Sequence, residues 1–81
     1  MINTEQLEQL RIEEQIAYIE YDQSLKAVKS HKEYQKLNPE PIHQNFIKTQ
    51  IKHAELDSSA RLETYKNAVK AINKFLQNDD K

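Results

Sequence analysis

The residues with the most capacity for chemistry are three histidines, one Glu-x-x-His pair, one Asp-Ser-Ser run and a cluster of lysines. Glu40 and His43 have the spacing that supplies metal ligands on the helices of di-iron bundles. Such a site needs a second copy of the pair and two further carboxylates. Only one copy is present, and it stands among prolines, so no metal is expected. No cysteine exists to build a thiolate site. His53 and Asp57 are four apart, with Ser58 and Ser59 beside them, which puts a base, an acid and a hydroxyl in one stretch. Nucleophilic catalysis also needs donors aimed at a developing oxyanion, and a helix in mid-span has its N–H groups committed. Phosphate-cradling loops need glycine, and this chain has none. No enzyme, cofactor or catalytic residue is expected.

The lysines offer a different chemistry. Between Ser24 and Ala54 lie Lys26, Lys29, Lys32, Lys36, Lys48 and Lys52 against two acids, Glu33 and Glu40, a net of +4. The remainder carries six bases against eleven acids, a net of −5, consistent with the overall −1. His31, His43 and His53 fall in the basic segment too. These six lysines are candidates for holding an anion, whether nucleic acid, acidic protein or lipid headgroup. Four of them also have a plain structural use: they follow a glutamate-rich start, the charge order that complements a helix dipole. The segment has no arginine, and its aromatic residues, Tyr34 and Phe46, fit apolar positions, so a base-stacking platform is not expected.

These groups are positioned by helices. Zero glycine, two prolines and abundant Glu, Gln, Lys, Leu and Ile favour long helical segments. Asn3 is the expected N-cap of a first helix over 4–37, with Gln6 three residues on. Leu37-Asn38-Pro39-Glu40-Pro41 holds both prolines and is the turn, 37–41. Asn38 is expected to cap a second helix that starts with Pro39 and runs over 39–77, followed by a frayed end, 78–81. Asp57-Ser58-Ser59 offers a possible break into three helices; with no glycine or proline there, a continuous helix is the preferred reading. So short a connection implies antiparallel neighbours. The expected fold is all-α: one domain over 1–81, an antiparallel hairpin of two long helices.

On the first helix the apolar residues form two stripes at ~100° per residue. One holds Leu7, Leu10, Ala17, Tyr21, Leu25 and Val28; the other holds Ile12, Ile16, Ile19, Ala27, Tyr34 and Leu37. A surface helix ordinarily has one apolar face, so a helix with two must touch something on each side. On the second helix Ile47, Ile51, Ala54, Ser58, Leu62, Tyr65, Val69, Ile72 and Leu76 form the main stripe, and Ile42, Phe46, Ala60, Ala71 and Phe75 a thinner one. The expected inner set of the first helix is Leu7, Leu10, Tyr21, Leu25 and Val28. That leaves Ile12, Ile16, Ile19 and Tyr34 for self-association into a four-helix, coiled-coil-like bundle, although the two sets are interchangeable on pattern alone.

Eighty-one residues with 37% hydrophobic and 31% charged content make a lean core that gains from a partner. Absent cysteine, an N-terminus without a signal-like pattern and no apolar run of ~20 residues point to the cytoplasm rather than to secretion or a membrane. The Asn38-Pro39-Glu40-Pro41 turn and the polar-rich helix to Gln77 loosely resemble the corresponding parts of type III secretion needle subunits. That resemblance covers the turn and second helix and implies a filament subunit. The chain departs from the family in its polar end, Gln77 to Lys81. The first expectation is therefore a small non-enzymatic protein-interaction module, an adaptor, inhibitor or regulator of bacterial or phage type, working as a homodimer with a larger protein partner. The second is an anion- or nucleic-acid-binding protein; the third is a needle-like filament subunit.

Overall fold

A computed structural model describes residues 3–79. They form two helices, α1 (Thr4–Leu37) and α2 (Pro41–Asp79), packed against each other as an antiparallel hairpin. The hairpin measures 62 × 14 × 12 Å between Cα atoms. Taking ~2.3 Å for the Cα radius of each helix leaves roughly 9 Å between the axes, ordinary for packed helices.

Asn3 starts α1 as expected. Its backbone is extended, and its side-chain oxygen accepts the Gln6 N–H at 3.1 Å. The turn differs from expectation. Asn38 does not cap the second helix: its backbone N–H and its Nδ2 both donate to the Tyr34 carbonyl at 3.0 Å, closing the C-terminal end of α1. The second helix begins at Pro41 rather than Pro39. The reason is steric, because the residue before a proline is driven out of helical geometry. Glu40 precedes Pro41, so a helix begun at Pro39 would have to pass through a residue that resists it. Further on, α2 runs to Asp79, two residues beyond the expected end; of the expected frayed end, residues 80 and 81 lie outside the described residues.

α2 is continuous through Asp57-Ser58-Ser59, the preferred of the two readings. Asp57 accepts a hydrogen bond from Arg61 one turn on, and Ser58 is buried against α1, so neither competes for the helix backbone.

The inward face of α1 follows a strict alternation of three and four: Leu7, Leu10, Glu14, Ala17, Tyr21, Ser24, Val28, His31 and Gln35 are all buried or half-buried. α2 answers with Gln44, Ile47, Ile51, Ala54, Ser58, Arg61, Tyr65, Ala68, Ile72 and Phe75 in the same rhythm. This is the 3.5-residue repeat of a coiled coil. It corrects two assignments. Leu25 is exposed, because the seam steps from Tyr21 through Ser24 to Val28 and leaves Leu25 one place off it. Phe75, assigned to the thin outer stripe, is half-buried on the seam. Tyr18 and Tyr65 meet edge-on at 5.5 Å between ring centroids, and Glu20 is level with Arg61. This register puts the two buried serines, Ser24 and Ser58, at the same height. Ser24 keeps its hydroxyl satisfied by donating to the Tyr21 carbonyl.

Small side chains at that level let the backbones come close. Ser58→Leu should overpack it and lower stability by roughly 1–3 kcal/mol, while Ser58→Ala should stay within about 1 kcal/mol of the parent. Thermal unfolding followed by circular dichroism checks this, and an unchanged Tm for the leucine variant would contradict the close approach.

Candidate interaction surfaces

Packing α1 on α2 settles which stripe of α1 is spare. Ile12, Ile16 and Ile19 are 49%, 52% and 54% exposed, Tyr34 56% and Leu37 80%. Ile12, Ile16, Ile19 and Leu37 face away from the seam, on the outer side of α1, and Tyr34 lies at the edge of that side, toward α2. The four self-association candidates, Ile12, Ile16, Ile19 and Tyr34, thus belong to one exposed surface that none of the other described residues covers. The other expected inner residues, Leu7, Leu10, Tyr21 and Val28, do turn toward α2.

Near the turn the spare surface reaches across to α2. His31, Tyr34, His43, Phe46, Ile47 and Gln50 line an open groove of 470 Å³. Ile42 and Phe46 are 82% and 68% exposed. A polar clasp closes the hairpin at the turn. The Gln44 Nε2 donates to the Asn38 carbonyl at 3.1 Å, and the Gln44 Oε1 accepts from the Gln35 Nε2 at 3.3 Å. One side chain therefore ties the connection to both helices.

The opposite flank carries the lysines. Gln35, Lys48, Ile51, Lys52, Glu55, Leu56 and Ser59 line a shallower groove of 370 Å³. At ~100° per residue, Lys29, Lys32 and Lys36 fall on the side of α1 that adjoins this groove, away from Tyr34. Folding therefore collects five of the six candidate lysines from two helices onto one flank. The sixth, Lys26, points outward from α1 and pairs with Asp22 at 3.1 Å. Aromatic and cationic residues end up on different sides of the hairpin tip, so the pattern needed for stacking nucleic-acid bases is not assembled.

The remaining polar residues form pairs. His43 Nε2 lies 3.9 Å from Glu40, both well exposed. Among the described residues no group of three or more His, Cys, Asp and Glu is placed to hold a metal ion. Among the described residues Arg61 makes the polar link between the mid-sections of the helices: its Nε donates to Asp57 at 3.1 Å and its Nη1 to Glu20 at 3.0 Å. The hydrogen bond and charge of Asp57, with a weaker contribution from Glu20, raise the guanidinium pKa above its ordinary value. A raised pKa favours the folded state below the ordinary value and loses that contribution only as pH climbs through the folded one. For a guanidinium that window lies in strong alkali, so Arg61 holds its charge throughout ordinary conditions. Sequence reasoning missed it, although the Asp57–Arg61 spacing of four was a usable signal.

Comparison with protein-family models, curated proteins and solved structures gives no match. No helix among the described residues is long and apolar enough to cross a membrane. The surfaces must therefore be interpreted from their own chemistry.

Loss of the Gln44 clasp should loosen the turn before it loosens the seam. We expect Gln44→Ala to cost roughly 0.5–1.5 kcal/mol. Amide hydrogen exchange should quicken around Asn38–Gln44 and stay unchanged around Ser58; uniform quickening along both helices would argue against a local role.

Proposed function

We propose that this chain is a small non-enzymatic protein-interaction module, a cytoplasmic adaptor, inhibitor or regulator of bacterial or phage type. It works as a self-associated helical hairpin that presents its remaining surface to a larger protein. The observation that supports this reading is the uncovered outer stripe of α1: Ile12, Ile16, Ile19, Tyr34 and Leu37, with each residue about half exposed or more. Soluble monomers seldom leave so many large apolar side chains exposed along one helix face.

Magnitudes favour pairing. Among the described residues the seam within one chain has four buried apolar residues, Ala17, Ile47, Ile51 and Ile72. A two-helix hairpin on so lean a core is marginal. Burying the remaining half of five large side chains contributes roughly 0.8–1.5 kcal/mol each, or roughly 4–7 kcal/mol per copy before association costs. That is comparable to the whole stability of a small domain.

Sedimentation velocity tests the proposal. The parent should be a dimer at micromolar concentration, and Ile16→Glu should be monomeric with a lowered Tm. A parent that stays monomeric and well folded at these concentrations would sink it.

A second reading is favoured by the lysines on one flank. In it, Lys29, Lys32, Lys36, Lys48 and Lys52, with Lys26 at the margin, hold an anionic partner. Titration of the full chain with a duplex oligonucleotide and with an acidic polypeptide should give an affinity that falls steeply with salt, and Lys48→Glu/Lys52→Glu should weaken it at least tenfold. Absence of binding to both at low salt would remove this reading. Should electron microscopy of concentrated protein show filaments in place of discrete dimers, the needle-like reading would replace both.

A further inference from the structure

We infer that the occupant of the outer face of α1 is a second copy of this chain lying antiparallel to the first, α1 against α1, with the two-fold axis near Ser24 and Leu25. The inference rests on the self-association proposed above and adds its geometry. It is drawn from two observations about the same helix.

The first is the shape of the exposed stripe. Ile12, Ile16 and Ile19 stand at one end of it, and Tyr34 and Leu37 at the other. Between them the same face carries Gln23, Ala27 and Ser30, residues that are small or polar. The stripe is thus nearly palindromic. When two copies run in opposite directions, Ile12 comes level with Leu37 of the second copy, Ile16 with Tyr34 and Ile19 with Ser30. Large side chains near one end meet the opposite end of the partner, and near the axis Gln23 and Ala27 stand in place of large apolar residues. A two-fold contact of this kind is closed, so it yields a dimer and stops.

The second observation is charge. Thr4–Asp22 of α1 contains six acids and one base, whereas Gln23–Leu37 contains four lysines and one acid. Antiparallel copies set each acidic half beside a basic half. Parallel copies stack acid on acid and lysine on lysine over the whole contact. Helix periodicity refines the point. One flank of the stripe carries Glu8 and Asp22, then Lys26, Lys29 and Glu33; Glu20 lies on the other flank, toward Arg61. In the antiparallel register Lys26 comes level with Gln23 and Asp22 of the second copy, on the same flank. Glu33, the one acid of the basic half, comes level with the uncharged Gln15 and Ile16. Within one chain Asp22 already touches Lys26, so this carboxylate is held at the surface beside the stripe.

This arrangement leaves the flank bearing Lys48 and Lys52 free on both copies and sends the two hairpin tips to opposite ends of the dimer. The four helices lie in the order α2, α1, α1, α2, and the paired α1 helices are the only ones covered on two sides.

Distances between identical spin labels decide the orientation. The chain has no cysteine, so Gln9→Cys and Gln23→Cys each give one label per copy. At 1.5 Å per residue, the antiparallel dimer puts the Gln9 positions about 45–50 Å apart and the Gln23 positions within about 20 Å. A parallel dimer would bring both pairs within about 25 Å. A dimer built on α2 alone would keep the Gln23 labels well beyond that short distance. Either of these results overturns the orientation while leaving self-association standing, whereas a monomer at every concentration overturns both. Salt gives an independent sign. Raising it from about 50 to 500 mM should weaken the antiparallel dimer threefold or more, because attraction across α1 is screened. A dimer that tightens with salt would carry like charges face to face and would refute the inference.

Discussion

The hairpin depends on one packing seam. Along it, residues of α1 and α2 alternate at intervals of three and four for almost their whole length, and the side chains that occupy it are unusually mixed. Ile47, Ile51 and Ile72 supply the apolar weight. Ala17, Ser24 and Ser58 are buried because they are small. Toward the turn His31, Gln35 and Gln44 take the place of apolar residues, and amide hydrogen bonds join the glutamines. Close contact over many turns compensates for the modest burial at each position, since dispersion and area removal accumulate along the pair. Everything else in the molecule follows from which residues the seam takes in and which it leaves out.

Two helices share only one line of contact, so a chain of this design has no third layer to cover its outer faces. α2 tolerates this, as its outer side is mostly polar apart from Ile42, Phe46 and Leu56. α1 does not, because it carries a second row of large apolar residues on its outer side. Charge is sorted by the same geometry. Lysines collect on one flank of the tip, the aromatic residues Tyr34 and Phe46 on the other, and the Glu20–Arg61–Asp57 network spans the middle. The hairpin therefore has sides of distinct character, and that distinction is the basis for reading it as an interaction module.

Much of the fold was legible in the residues. The lack of glycine, the paired prolines and the Asn3 cap gave both helices, their continuity through Ser58 and the start of α1. The start of α2 was misplaced because two rules met in three residues: Pro39 suits a first helical position, but Pro41 forbids helical geometry at Glu40, and the second restriction is the harder one. The seam was legible only in part. Grouping residues by apolarity drew Leu25 inward and passed over Ser24, His31 and Gln35, which the 3.5-residue rhythm alone would have placed. Position in the repeat, rather than hydrophobicity, decides what is buried when the contact is narrow.

The amino-acid sequence by itself determined the helices, the place of the turn, the presence of two apolar rows on α1 and the concentration of lysine near the tip. These are local properties, set by backbone preferences and by spacing along one helix. The tertiary structure decided which row of α1 is spent inside the hairpin, that the lysines of two helices share a flank, and that Arg61 joins Glu20 to Asp57. None of these is local. Each depends on the rotation of one helix about its axis relative to the other, and that rotation is fixed by the sum of contacts along the seam, where exchanging one row of α1 for the other was equally permitted by the pattern of either helix alone.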